Sequence, residues 1–268
     1  MKSFENKIVL ITGGASGIGK IMCRLSLERK AKVIIWDINQ AGIDDTILAF
    51  SDKGDVRGYQ IDISDPNRVK EVAAEVYRDI GAVDILINNA GIIVGKYFHE
   101  HSHSDILKTM EINAIAQMTV TAEFLREMIL KNSGHICNIS SSGGLISNPK
   151  MSVYAASKWS LIGWSDSLRL EMKQIGKNVG VTTIMPYYIN TGMFDGVKSK
   201  LPILDPETAS LTIIRAIERN KRMVTLPGYI YRFTRLGQAL FPINVFDWFA
   251  GKVLGIYKTM EHFTGRKK

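Results

Sequence analysis

The sequence predicts a single α/β domain: a doubly wound parallel sheet of about seven strands, helices on both faces, and a helical extension at the C-terminal end. Three observations carry this. Short apolar runs recur with helix-period segments between them. The first run, Ile8-Val9-Leu10-Ile11, ends in a glycine-rich turn that opens a helix. No repeat, low-complexity tract or linker divides the 268 residues, a length that suits one rather large domain.

Taken in order, strands are expected at 7–12, 32–36, 56–61, 84–88, 135–139, 179–185 and 223–226. Runs that are apolar throughout, not alternately, belong to strands covered on both faces, as in parallel sheets. Helices are expected near 17–30, 40–50, 66–80, 104–130, 152–175 and 206–219. Asp65-Pro66 and Asp205-Pro206 each place a capping acid before a proline at the first helical position. Residues 1–228 form the sheet domain, and 229–268 an extension packed on it.

Composition narrows the class. Hydrophobic residues are 46% and charged residues 22%, ordinary for a globular chain. Cys23 and Cys137 have neither metal nor redox spacing, and two small buried thiols suit a reducing, cytoplasmic setting. Residues 1–30 do not read as a signal peptide, and no apolar stretch reaches the ~18 residues of a spanning helix. The formal charge of +8 is unevenly placed. Residues 215–268 hold eleven Lys and Arg against three Asp and Glu, so the rest of the chain balances to zero.

In such a sheet ligands bind beyond the carboxyl ends of the strands. The first strand ends in Gly13-Gly14-Ala15-Ser16-Gly17-Ile18-Gly19, where missing Cβ atoms and the N–H groups of a helical first turn make room for a diphosphate. The spacing is Gly-x3-Gly-x-Gly, not the commoner Gly-x-Gly-x-x-Gly. The second strand ends at Asp37, an acid placed to accept from adenosine ribose hydroxyls and to repel a 2′-phosphate, which favours NAD over NADP. Asp62 and Ile63 follow the third strand and Asn89-Ala90-Gly91 the fourth. After the fifth come Ser140, Ser141 and Ser142, and thirteen residues beyond Ser141 stands Tyr154, with Lys158 one helical turn on.

These motifs, in this order and spacing, resemble the short-chain dehydrogenase/reductase family over residues 7–225: Thr12-Gly13-x3-Gly17-x-Gly19, Asn88-Asn89-Ala90-Gly91, Asn113, Ser141 and Tyr154-x3-Lys158. The resemblance implies a Rossmann-type fold that keeps cofactor and catalytic groups on one sheet. Trp36-Asp37-Ile38-Asn39, the run from Pro186 to Phe194, and the closing residues 260–266 are similar to a branch that includes retinol dehydrogenases and 17-beta-hydroxysteroid dehydrogenases. Most of the family has Pro-Gly where this chain has Pro186-Tyr187. Eukaryotic members of the branch usually begin with a membrane segment, for which residues 1–30 offer no apolar run long enough.

The implied activity is an NAD(H)-dependent interconversion of a hydroxyl and a carbonyl. Tyr154 is the expected general base and acid, with Lys158 and an oxidised nicotinamide lowering its pKa. Ser141 would bond the substrate oxygen. By resemblance, Asn113 would position a relay water, and Lys158 the nicotinamide ribose. Pro186, Ile189 and Thr191 would meet the nicotinamide end. The expected cofactor contacts are therefore Gly13, Ser16, Gly17, Ile18, Gly19, Asp37, Asp62, Ile63, Asn89, Ala90, Gly91, Tyr154, Lys158, Pro186, Ile189 and Thr191.

Residues 187–206 are long for a connection and read as an apolar lid. Its greasy side chains, Met193, Phe194, Val197, Leu201, Ile203 and Leu204, point to a steroid, retinoid or long-chain alcohol. Two alternatives stay open: reduction of a small polar carbonyl, and a nucleotide- or lipid-binding scaffold without turnover. His99, His101 and His103 alternate as metal ligands can, but no step needs a metal and none is expected. The cationic, aromatic tail can lie on an anionic bilayer surface or cover the pocket; its apolar density argues against nucleic acid. Family resemblance implies a homodimer or homotetramer.

Overall fold

A computed structural model describes residues 3–266. Seven strands form one parallel sheet: β1 (Ile8–Thr12), β2 (Lys32–Asp37), β3 (Val56–Gln60), β4 (Ile85–Asn88), β5 (Gly134–Ile139), β6 (Val179–Pro186) and β7 (Met223–Leu226). Their spatial order is β3-β2-β1-β4-β5-β6-β7, so the winding reverses between β1 and β4. Each helix crosses from one strand to the next: α1 (Gly17–Leu27), α2 (Gln40–Phe50), α3 (Pro66–Asp79), α4 (His103–Met110), α5 (Ala116–Leu130), α6 (Ser152–Gln174) and α7 (Pro206–Glu218).

The apolar runs divide by parity, because successive strand residues face opposite sides. Val9, Ile11, Val33, Ile35, Ile85 and Ile87 pack under α1, α2 and α7. Leu10, Ile34, Trp36, Leu86 and Ile136 pack under α3, α5 and α6. Phe124 fills the second layer between Trp36 and Tyr77, its ring centroid 5.6 Å from each. Asp65 caps α3 through the Asn67 and Arg68 N–H groups, and Asp205 caps α7 through that of Thr208, as their sequence positions predict.

Most boundaries fall within one residue of expectation, and two helices differ by more. The first helix ends at Leu27, not 30, where the chain turns through Lys30 at φ +61°. The helix expected over 104–130 is α4 and α5 separated by a π turn, Glu111–Ile115. Beyond β7 the extension forms α8 (Tyr229–Leu240) and α9 (Ile243–Trp248), a π turn (Phe249–Val253) and a 3₁₀ turn (Ile256–Lys258).

Candidate active site

The site is built where the winding reverses, between β1 and β4. Thr12, at the end of β1, accepts at its hydroxyl from the Asn89 and Ala90 N–H groups, 3.0 and 3.1 Å away. The Asn89 amide donates in return to the Thr12 and Gly13 carbonyls. The glycine turn is thus tied to the loop after β4. Its other side is tied to β2: the Gly13 N–H donates to the Trp36 carbonyl, and the Ala15 N–H to Asp37 Oδ2 at 3.0 Å. Gly13 and Gly17 sit at φ +65° and +54°, backbone that side chains disfavour. A Cβ on Gly17 would enter the space between Thr191 and Arg266, so glycine keeps a cradle open there.

One cavity of about 570 Å³ runs from this turn across the strand ends. Its wall contains Gly13, Ser16, Gly17, Ile18, Asp37, Asp62, Ile63, Asn89, Ala90, Gly91, Ser141, Tyr154, Lys158, Pro186, Ile189 and Thr191. These are the expected site residues with two exceptions. Gly19 is buried behind the turn, where a Cβ would stand 2.0 Å from the Gly13 carbonyl oxygen. Its smallness lets α1 pack on the turn; the structure gives it no face toward a ligand.

Asn113 is the other exception. It lies fully buried in the π turn, and its side chain is committed to protein partners. Its Oδ1 accepts from the Ile92 N–H at 2.8 Å. Its Nδ2 donates to the Ile92 carbonyl and to Ser157 Oγ. The amide therefore braces the loop after β4 against α6, and the widened turn interrupts the regular backbone ladder beside the cavity.

Tyr154 and Lys158 share the buried face of α6, with Lys158 Nζ 5.8 Å from the Tyr154 ring centroid. The ammonium donates to the Ile139 carbonyl at 3.0 Å. Gly91 lies close beside it: a Cβ there would come within 3.5 Å of Nζ and 3.1 Å of Asn113 Oδ1. Burial lowers Lys158 to about 8. Burial also raises Tyr154 to about 12, against a hydrogen bond from Ser141 that favours the phenolate. The lowering expected of Lys158 is therefore not seen within the protein itself: desolvation of the phenolate dominates, and the opposing effect comes from Ser141.

All three serines border the cavity. Ser140 donates to the Lys158 carbonyl, and Ser141 accepts from the Gly143 N–H at 3.0 Å. The three histidines do not stay in one extended segment: His99 falls in a 3₁₀ turn, and His103 opens α4.

The far wall is apolar. Met193, Phe194 and Leu201 of the lid face the cavity, Val197 and Leu204 pack beneath it, and Ile203 points to solvent. Ile230, Phe233 and Phe249 of the extension also line the chamber. The tail therefore covers the pocket with one side. With the other it exposes Leu236, Leu240, Phe241, Ile243 and Trp248. Among the cavity residues not foreseen from sequence is Arg266, which arrives from 250 positions away to donate to Ser16 Oγ. Only the likeness of residues 260–266 to one branch had singled out that stretch.

A parallel sheet with its glycine turn at the reversal and a Ser-Tyr-Lys set on the same strand ends defines a class. Residues 7–202 match the model of the short chain dehydrogenase family, and the chain belongs to that family of oxidoreductases. Its relatives include retinol dehydrogenases and 17-beta-hydroxysteroid dehydrogenases. Epidermal retinol dehydrogenase 2 of Mus musculus is 36% identical over 276 residues, spanning all of this chain and 88% of the relative. Estradiol 17-beta-dehydrogenase 11 of Homo sapiens is 31% identical over 242 residues, 89% and 81% of the two chains. A short chain dehydrogenase/reductase from Burkholderia phymatum, solved in complex with NAD, superposes with a TM-score of 0.82 at 22% identity, covering 89% of this chain and 95% of that one.

Proposed function

We propose that the protein is an NAD(H)-dependent dehydrogenase that interconverts a hydroxyl and a carbonyl on a lipophilic substrate, a steroid, retinoid or long-chain alcohol. One observation carries this: a single cleft joins a glycine cradle and Asp37 at one end to a Ser-Tyr-Lys set and an apolar chamber at the other. The relatives named for retinol and estradiol support the same substrate class.

The cradle fits a dinucleotide, since a Cβ at Gly17 would fill the space a diphosphate needs. A bound nicotinamide dinucleotide supplies the hydride acceptor and donor. The N–H groups opening α1 hold the diphosphate, and Asp37 accepts from the adenosine ribose hydroxyls and rejects a 2′-phosphate. In oxidation the Tyr154 phenolate would take the proton of the substrate hydroxyl, and in reduction the Tyr154 phenol would return it. Ser141 bonds the substrate oxygen and stabilises its developing charge. Lys158 is still largely protonated at neutral pH with its value near 8, and its charge favours the phenolate. Because the Asn113 amide is already committed, a relay water would be held by backbone carbonyls of the π turn.

The exposed apolar face of α8 and α9, with Arg232 and Arg235 on α8 and Lys252 in the π turn that follows, suits peripheral contact with an anionic membrane from which such substrates come. Among the described residues no helix is long and apolar enough to cross a membrane.

A fluorescence screen for NADH formation over steroids, retinol and fatty alcohols tests the assignment. Turnover with at least one of them is expected, with NAD preferred over NADP. Tyr154→Phe should abolish turnover and leave NADH binding within a few-fold of wild type. Activity confined to small polar carbonyls, or cofactor binding without turnover of any substrate, would overturn it.

A further inference from the structure

The last described residue brings a positive charge to a place that is already positive. Arg266 Nη1 donates to Ser16 Oγ at 3.2 Å, and Nη2 to the Thr191 carbonyl at 3.4 Å. Both acceptors are neutral, and among the described residues no carboxylate lies within ion-pair distance of this guanidinium. Ser16 is the N-cap of α1, yet its side chain accepts no bond from the helix. No acidic residue occupies the first turn either. The first-turn N–H groups, the positive end of the helix dipole and the guanidinium therefore converge on one space, and among the described residues no carboxylate pairs with the guanidinium there. That space borders Gly17, where a Cβ would come within 3.7 Å of Arg266 Nη2.

The segment carrying Arg266 is anchored to the lid. Met260 is buried against it, and the Thr264 and Gly265 N–H groups both donate to the Asp195 carbonyl. The Phe263 ring lies 6.5 Å from Phe194, whose ring meets Tyr154 edge-on at 6.1 Å. Gly265, at φ +69°, then turns the chain back toward the glycine loop. One strap thus touches the lid, the aromatic wall beside Tyr154 and the cradle.

We propose that Arg266 is a diphosphate-binding residue. The C-terminal strap lays its guanidinium across the dinucleotide opposite the N-terminus of α1, closing from above a site that the glycine turn forms from below. Charge-assisted bonds to phosphate oxygens replace the two neutral ones. Dinucleotide binding and the seating of strap and lid are then linked, so the cofactor helps to complete the wall of the substrate chamber. This rests on the assignment of the cleft to a nicotinamide dinucleotide.

The test measures affinity by NADH fluorescence, and by its displacement with ADP-ribose and with adenosine, on the full chain. Arg266→Gln should weaken NADH and ADP-ribose about tenfold, the scale of one charge-assisted bond at a partly open site. Adenosine, which has no phosphate, should stay within about twofold. Arg266→Lys should fall between, and the affinity of the wild type should decline more steeply with salt than that of Arg266→Gln. NADH should slow hydrogen exchange in residues 259–266 of the wild type, with less effect in the variant. Unchanged NADH affinity in Arg266→Gln, or an equal loss for adenosine, would overturn the diphosphate role and leave the cleft assignment standing. A wild type that binds neither NADH nor ADP-ribose would overturn both.

Discussion

Lys158 shows how one residue can serve the site and burden the fold. It is 4% exposed, and among the described residues its ammonium donates to one acceptor, the Ile139 carbonyl. Burial takes it from 10.5 to about 8. Below pH 8 both folded and unfolded chains hold the proton, and the burial penalty is felt in full. Between 8 and 10.5 the unfolded chain alone tends to stay protonated, so the penalty shrinks as pH rises. Above 10.5 both are neutral and it is gone. Lys158→Met should therefore raise the thermal midpoint at pH 7, by a free energy on the order of 3 kcal/mol at most. The advantage should fade between pH 8 and 10.5 while turnover stays low throughout. An equal or lower midpoint for the variant at pH 7 would count against a buried charge here. The Tyr154–Lys158 pairing was legible in sequence, because a four-residue spacing places two side chains on one helix face. The direction of Tyr154's own shift was not, since it depends on how much of the protein covers the ring.

At the scale of elements, the turn and α1 separate two kinds of glycine that look alike in sequence. Gly17 faces the cradle at φ +54°, and a Cβ there would meet only ordinary contacts at 3.6 Å or more. Gly19 faces the protein, with the Gly13 carbonyl in the way. Gly17→Ala should leave the fold within about 1–2 kcal/mol of wild type, the cost of a left-handed side chain, yet lose most NADH affinity. Gly19→Ala should cost more, about 3 kcal/mol or above, by forcing α1 off the turn. Thermal midpoints and NADH titrations of the two variants check this; a Gly19 variant as stable as the Gly17 one would contradict the packing role. The helix broken at Asn113 makes the same point. Helix-period residues continue through 104–130, but the π turn is held by bonds from Asn113 to Ile92 and Ser157, which lie far away in sequence.

Over the whole molecule, the extension has two faces with different tasks. Ile230 and Ala250 are buried toward the domain, while Phe233 is 71% and Trp248 60% exposed. Phe233 also touches the cavity, so the exposed face adjoins a route into the chamber. On the membrane assignment, the protein should float with anionic vesicles at low salt. Trp248→Ser with Ile243→Ser should reduce that binding several-fold while NADH affinity is unchanged. Flotation of the double variant equal to wild type would remove this face as the contact.

The strands, the capped helices, the glycine cradle and the Ser141-Tyr154-Lys158 spacing were determined by sequence alone, because each depends on local periodicity, local backbone freedom or short separations along the chain. Tertiary structure alone decided that Gly19 packs against the protein where Gly17 faces the cavity, that the Asn113 side chain braces a loop, that the tail both walls the chamber and exposes an apolar face, and that Arg266 stands over the turn that begins at Gly13. Those outcomes depend on burial and on contacts between residues as many as 250 positions apart. No period or spacing in the sequence encodes such distances; they exist only once the sheet has wound and the C-terminal strap has crossed back over its first turn.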